Sequence, residues 1–337
     1  MKKIVKILLL LWAVFVLSAP GAVFAEEAEP LFATLEEAEA AILRDCPAAL
    51  DIRGLDFEAV KYLVDTYPDI DFHYTIRLGN IDVDSEAEEA SLDRKYARKP
   101  KMADLMERLA YLPKLKKLDM FNHRYPTDKL ALLHDSYPGI RIGFTFVMEE
   151  WTLRSDITAF STLSPKQRYT QEDFLPLRFC HDLLGLDLGH NAITDLSFLE
   201  QFPNLRVLIL ADNRITDVGP IAQLKDLEYL ELFQNHINDL SPLAANQNLI
   251  DLNVCWNPEL TDYETVLALP KLERIWLANT AISPEGQQAL REAFPDARVV
   301  FKADHSTSGW RTHDRYSVIR KMFSSRRYRP FKERVEP

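Results

Sequence analysis

The 337-residue sequence is poor in cysteine, with only Cys46, Cys180 and Cys255. Three cysteines are too few for the disulfide scaffold of a small exported protein. Cys180 and Cys255 lie three repeats apart in the pattern described below, about 14 Å along a stack of strands. A disulfide spans Cα atoms no more than ~7 Å apart, so we expect no bond between these two. Pairing of Cys46 with Cys180 stays open, as does the simpler alternative of three free thiols.

The sequence also lacks the short motifs of common catalytic sites. It contains no HExxH, GxSxG, P-loop or CxxC pattern. Asp187, His190 and Asp212 fit a metal or acid–base cluster, but a solvated surface explains them as well. The acidic run from Asp82 to Asp93 lacks the glycine and the closing glutamate of a calcium loop. We therefore expect no enzyme activity, no cofactor and no bound metal.

Basic residues are outnumbered, with 40 Lys or Arg against 51 Asp or Glu and a formal charge of −11. Such an acidic balance argues against nucleic acid as a partner. The C-terminal end differs, since nine basic and three acidic residues follow from His305 onward.

Long apolar runs are scarce. The run at residues 7–17 is too short for a typical membrane span. Three lysines precede it, and Val23 and Ala25 suit signal-peptidase cleavage, so residues 1–25 are typical of a secretory signal peptide. An uncleaved anchor is the alternative. We expect a secreted or cell-surface protein with no transmembrane span after signal removal.

What the sequence does contain is a repeat over residues 179–301. Each copy reads LxxLxLxxN, and the fifth has Thr280 in the Asn position. The opening leucines stand 22 or 23 residues apart: Leu183, Leu205, Leu227, Leu249 and Leu272. This period predicts an α/β leucine-rich repeat solenoid, or horseshoe, with short strands on its concave side. No repeat buries its apolar face alone, so neighbours must stack. The Asn amides are expected to satisfy backbone groups of the bend.

Three segments, NAITDLSFL, NRITDVGPI and NHINDLSPL, carry a closer resemblance. They are similar to the 22-residue repeats of bacterial internalin-type proteins, which read NxIxDIxPL. The resemblance covers about 120 of the 337 residues. It implies a bacterial protein, secreted or attached to the surface, that binds other proteins on its concave face. It does not specify the ligand.

Residues 26–178 contain an older pattern, in which Tyr67-Pro68 recurs as Tyr137-Pro138 at an offset of 70. We predict a tandem duplication of an α/β unit, with helices at about 35–44, 57–66, 102–111 and 128–136 and strands at about 48–53, 70–76, 116–121 and 140–147. Proline ends each of these helices and favours an extended chain after it. The region is interpreted either as a divergent extension or cap of the solenoid or as a separate α+β domain.

Residues 302–337 are predicted to form a C-terminal cap and a basic tail. Trp310 and a short amphipathic helix, Asp314 to Phe323, are expected to cover the exposed apolar end of the last repeat. The basic residues beyond Ser324 are expected to be disordered, with contact to an anionic polymer or lipid as a weaker alternative.

The repeat phase predicts which side chains occupy the concave face. Four aromatic residues fall on it with an acidic rim, which gives the candidate ligand-binding set Tyr229, Phe233, Trp256, Trp276, Asp187, Glu231, Asp251 and Asp212. Exposed aromatic residues at such positions are typical of interfaces. We expect a protein or peptide ligand with basic groups; a glycan or cell-wall polymer is the alternative. A third possibility is that the N-terminal region or the C-terminal tail folds over this patch and covers it.

Overall fold

A computed structural model describes residues 32–162, 169–305, 307 and 309–331. The expected signal peptide, residues 1–25, lies outside these residues. The chain forms two compact units, Met1–Thr75 and Ile76–Pro337.

The first unit contains two helices and a two-stranded parallel sheet. Its elements are α1 (Leu35–Asp45), β1 (Ala49–Asp51), α2 (Phe57–Thr66) and β2 (Asp71–His73). Thr34 and Glu37 form a capping box at the start of α1. The carboxylate of Asp56 accepts a hydrogen bond from the Ala59 amide at 2.9 Å and starts α2. These elements agree with the positions predicted from the sequence.

The second unit begins with a hairpin and a mixed four-stranded sheet. The elements are β3 (Thr75–Leu78), β4 (Ile81–Asp84), β5 (Glu89–Ser91), α3 (Met102–Leu109), β6 (Lys117–Arg124), α4 (Thr127–Ser136), β7 (Arg141–Met148) and β8 (Trp151–Arg154). β3 pairs with β4. β5, β6 and β7 are parallel neighbours, whereas β8 is antiparallel to β7.

The next strand, β9 (Ala159–Ser161), fits the 70-residue spacing that the sequence predicts between the two N-terminal units. It starts 70 residues after β5, as α4 does after α2 and β8 after β4. The structure therefore has similar elements at the predicted spacing, while the duplication itself stays a prediction. β9 also pairs with the first repeat strand. The repeat sheet thus starts before residue 179, inside the region that the sequence assigned to the N-terminal part.

The repeats form a seven-stranded parallel sheet in which each strand pairs with its sequence neighbours. After β9 come β10 (Gly185–Asp187), β11 (Val207–Ile209), β12 (Tyr229–Glu231), β13 (Asp251–Asn253), β14 (Arg274–Trp276) and β15 (Arg298–Val300). The connections contain the 3₁₀ segments Gln171–Phe179, Ser197–Gln201, Gly219–Gln223 and Ser241–Ala245, and later α5 (Glu264–Leu267) and α6 (Pro284–Ala293). The last helix is α7 (Asp314–Ser325).

The asparagines that close each repeat motif form a buried ladder, as expected. The Asn235 amide nitrogen donates to the carbonyls of Leu210 and Leu232, both at 3.0 Å. Its oxygen accepts from the Ile215 amide at 3.0 Å. Each asparagine therefore joins its own bend to the preceding repeat, which supplies partners for backbone groups that would otherwise be buried without any.

All three cysteines are free thiols, with Cys180 and Cys255 buried and Cys46 exposed. Among the residues that the structure describes, no helix combines the length and the apolar character needed to cross a membrane.

The ladder predicts a large difference between Asn235→Ala and Thr280→Ala. Asn235→Ala removes three good hydrogen bonds and leaves buried backbone groups unpaired, so we expect the free energy of unfolding to fall by at least ~2 kcal/mol. Thr280 makes one such bond, to the Leu277 carbonyl at 2.8 Å, and its loss is expected to cost about 1 kcal/mol. Urea denaturation of both variants measures the difference. Equal losses would contradict this role of the asparagines.

Candidate functional site

The predicted concave surface, called here the strand face, is covered by the chain's own C-terminal segment (residues 309–331). Tyr229, Trp276 and Trp310 are fully buried and belong to one apolar cluster. The expectation of a solvent-exposed aromatic patch was therefore wrong for Tyr229, Phe233 and Trp276. The physical reason is that their apolar area is removed from water within the same chain.

Trp310 is the centre of this cover. Its ring lies 5.0 Å from that of Trp276 and 5.4 Å from that of Tyr229. Its Nε1 donates a hydrogen bond to Glu231 Oε1 at 2.7 Å. The Tyr229 hydroxyl donates to the same carboxylate oxygen, and the Arg274 guanidinium carbon lies 4.1 Å from the Trp310 ring centre. The indole thus packs against two aromatic rings and also has a hydrogen-bond acceptor.

The acidic groups on the strand face are paired with arginines of the same chain. Asp251 contacts Arg274 at 3.2 Å and Arg315 at 2.6 Å. Glu231 contacts Arg311 at 3.4 Å, and Arg315 also pairs with Glu273. Burial raises the pKa of Asp251, although the two arginines oppose that shift. The predicted preference of this surface for basic groups is thus met by residues of the C-terminal segment.

The position of α7 corrects the predicted cap. The helix packs on β9 and β10, at the other end of the sheet from the last strand, β15. Met322 lies over Gly185, where an added Cβ would be 2.7 Å from its sulfur. A side chain at position 185 would therefore force the Met322 side chain to move, and the small residue permits this contact.

The basic residues after Ser324 are ordered as far as residue 331, which corrects the expectation of disorder for that part. Arg327 pairs with Asp156 at 3.1 Å. The Tyr328 amide donates to the Thr158 hydroxyl at 2.6 Å, and the Thr158 amide donates to the Arg326 carbonyl at 3.2 Å. These bonds fix the segment beside the start of β9. Residues 332–337 lie outside the described part.

The remaining members of the predicted site, Asp187, Asp212 and Trp256, have separate environments. Asp187 accepts bonds from the Ser161 hydroxyl at 2.8 Å and the Gly189 amide at 3.1 Å. Burial raises its pKa. Asp212 bonds to His190 Nδ1 at 2.8 Å. His190 and Asp212 are thus joined directly, whereas the Asp187 carboxylate is bonded to Ser161 and Gly189. Within the described ranges, no three His, Cys, Asp or Glu side chains are grouped so as to hold a metal.

Sequence reasoning missed a row of left-handed backbone positions, which we call the ridge. It consists of the residue before the Asn or Thr position in each repeat: His190, Asp212, Gln234, Trp256 and Asn279, with φ of 63°, 52°, 57°, 60° and 55°. The presence of His, Asp and Asn is a usable signal, since these residues tolerate this conformation better than most. Trp256 does not share that tolerance.

The ridge borders a pocket of about 480 Å³. Asp212, Gln234, Trp256 and Asn279 line it together with Arg214 and His236. Gln234 Nε2 donates to Asp212 Oδ1 at 3.0 Å. Trp256 is 39% exposed, whereas the other three predicted aromatic residues are buried. This pocket therefore combines one accessible indole with several hydrogen-bonding groups.

Comparisons with known proteins agree with a leucine-rich repeat chain. Residues 203–245 match the family model for leucine-rich repeats, which describes two copies. No curated protein matches. Together, the family match and the parallel repeat sheet identify leucine-rich repeats in this chain.

Several solved structures are similar to parts of this chain. An internalin (InlF) from Listeria monocytogenes is 18% identical, with 80% of this chain and 88% of that chain covered and a TM-score of 0.40. Internalin C2 from the same species is 22% identical over 62% and 86%, with a TM-score of 0.36. The Arabidopsis receptor kinase HAESA, in complex with the peptide hormone IDA and the co-receptor SERK1, is 20% identical over 61% and 29%, with a TM-score of 0.30. These likenesses concern the fold alone.

The ion pairs predict that Arg315 holds the C-terminal segment on the strand face. Arg315→Ala leaves the buried Asp251 with one cation instead of two, so we expect unfolding free energy to fall by roughly 3 kcal/mol. Arg320→Ala changes an exposed residue of the same helix and is expected to stay within ~0.5 kcal/mol of the unaltered chain. Thermal or urea unfolding gives both values. Indistinguishable stabilities for the two variants would contradict this assignment.

Proposed function

We propose that this chain is a non-catalytic recognition protein that binds a protein or peptide partner. Leucine-rich repeat proteins commonly mediate protein–protein recognition, and residues 203–245 match that family model. The HAESA complex is an example in which a related scaffold binds a peptide hormone. The partner is met outside the cell membrane, since the N-terminal sequence and the internalin resemblance favour a secreted or cell-surface bacterial protein.

The ridge and its pocket are the proposed contact surface. The observation that carries this choice is Trp256, an exposed indole in a backbone conformation that is unfavourable for its residue type. Exposed aromatic residues are frequent anchors of interfaces, and unfavourable backbone conformations cluster at functional sites. Tyr229, Phe233 and Trp276 are buried beneath the C-terminal segment, so they do not reach a partner while that segment is in place.

The polar residues of the ridge define what a partner must offer. Gln234 and Asn279 provide amides that can pair with an extended peptide backbone, and Asp212 provides a carboxylate. Arg214 and His236 lie at the same pocket. A peptide that places an aromatic or Arg side chain on the Trp256 ring would use both the apolar surface and these polar groups.

Glycan binding is the second candidate, and the same pocket supports it. One accessible indole beside carboxylate and amide groups suits the stacking of a sugar ring with hydrogen bonds to its hydroxyl groups. The two candidates differ in their response to salt. Recognition of a charged peptide weakens as ionic strength rises, whereas binding of a neutral glycan changes little.

Trp256→Asn tests the proposed site with the full chain. Asn relieves the unfavourable conformation while the partly buried ring is lost, so we expect opposing effects and a stability change below about 1 kcal/mol. Peptides selected from a displayed library against the unaltered chain, and oligosaccharides from a glycan array, are then measured against the variant. We expect at least ~30-fold weaker binding.

Leu175→Asn is the matched control, because Leu175 is an exposed apolar residue (46%) outside the pocket. It is expected to leave the affinity unchanged. If the selected ligands bind Trp256→Asn as tightly as the unaltered chain, the ridge is not the recognition site.

A further inference from the structure

The strand face beneath Trp310 has the chemistry of a binding groove that is already filled. We propose that the surface of β12, β13 and β14 is a receptor for a peptide with the pattern Trp-Arg-x-x-x-Arg, and that residues 310–315 occupy it as an exchangeable ligand of the same chain. This site is separate from the ridge and does not depend on Trp256.

The site of the Trp310 indole explains why the proposed peptide begins with Trp. Trp310 is fully buried between Tyr229 and Trp276, and its N–H is bonded to Glu231. A buried Trp that has both aromatic neighbours and a hydrogen-bond acceptor is the usual form of an interface anchor. Phenylalanine in the same place would leave the Glu231 carboxylate without this donor.

The carboxylates of the strand face explain the two Arg residues of the proposed peptide. The strand face presents Glu231, Asp251 and Glu273, and Arg274 is the cation that β14 places beside Asp251. Arg311 and Arg315 of the C-terminal segment supply the other two positive charges. Buried carboxylates are unfavourable unless they are paired, so the face without its cover favours a ligand with two guanidinium groups at this spacing.

The C-terminal segment is attached mainly through side chains, as at a protein–protein interface, and its described residues do not pair with the sheet as an added strand would. Among the described residues, its backbone–backbone hydrogen bonds to the rest of the unit are the one from Thr158 to Arg326 and the local one from Trp310 to Thr307. Trp310, Arg311 and Arg315 are held by side chains, as in a polar interface with an aromatic centre. The connection from β15 passes through exposed residues, Lys302, Asp304 and His305. Such a link can be cut without changing a buried contact.

The experiment uses the full chain with a protease recognition sequence inserted after Asp304. After cleavage, the C-terminal piece stays on the strand face, and a fluorescent peptide of residues 305–337 is added. Native mass spectrometry and fluorescence anisotropy follow the replacement of one piece by the other. We expect exchange that saturates at one peptide per chain.

Peptide variants separate specific recognition from general charge attraction. The peptides Trp310→Ala and Arg311→Ala/Arg315→Ala are expected to bind at least ~30-fold more weakly. The charge-matched control Arg320→Ala/Lys321→Ala changes exposed residues of α7 and is expected to stay within about threefold. Ionic strength is held constant, because screening would weaken all of these peptides together.

Three outcomes overturn the proposal. In the first, the cleaved piece does not exchange within a day. In the second, the cleaved chain unfolds or aggregates. In the third, the Arg311→Ala/Arg315→Ala peptide and the Arg320→Ala/Lys321→Ala control lose the same amount of affinity. In the first two cases the segment is a permanent part of the apolar core, and in the third its attachment is nonspecific charge attraction.

Discussion

Two carboxylates on the strand face, Glu231 and Asp251, have no exposure to solvent. Removing a carboxylate from water is unfavourable, and the cost is recovered only with well-placed cations or donors. Asp251 has Arg274 and Arg315, whereas Glu231 has the Trp310 indole, the Tyr229 hydroxyl and Arg311. The C-terminal segment therefore stabilises the sheet by pairing with its buried carboxylates, and the sheet in turn holds the segment in place.

The repeat uses its period for two different purposes. Toward the inside, Asn191, Asn213, Asn235 and Asn257 bond to backbone groups and stack one repeat on the next. Toward the strand face, the corresponding positions differ from repeat to repeat, with Tyr229, Asp251 and Arg274 in equivalent register. The invariant inner positions stabilise the solenoid, and the variable outer positions contact the C-terminal segment of the same chain.

The sequence was sufficient to predict strands β10 to β14 of the sheet, because a spacing of 22 or 23 residues relates each of them to its neighbour. It also located α2 and α4 and the strands that follow them, β2 and β7, since Pro68 and Pro138 mark the same break. It left the cover as one possibility, with the N-terminal region and the C-terminal tail as the candidate segments, because local patterns do not show which distant segment folds onto a surface. For Trp310 and the helix after it, capping of the last repeat was the first interpretation, and disorder was expected beyond Ser324.

The ridge was missed for a different reason. Left-handed positions are usually recognised by glycine, and here His190, Asp212, Gln234, Trp256 and Asn279 occupy them instead. The conformation follows from stacking, because each of these residues precedes a bend whose backbone groups are fixed by the next repeat. Trp256 is exposed as a result, and the repeat geometry rather than any local motif places it at the pocket.

Cys255 provides a direct test of whether the C-terminal segment covers the strand face. This thiol is buried in the same cluster as Trp310, and burial raises its pKa to about 12. In a Cys46→Ser/Cys180→Ser variant, Cys255 is the one thiol left, and its reaction with a maleimide can be timed with and without denaturant. With the segment in place, labelling is expected to be at least ~100-fold slower in the native chain than in denaturant. Labelling at the same rate in both conditions would contradict this expectation, since the face would then be open to solvent.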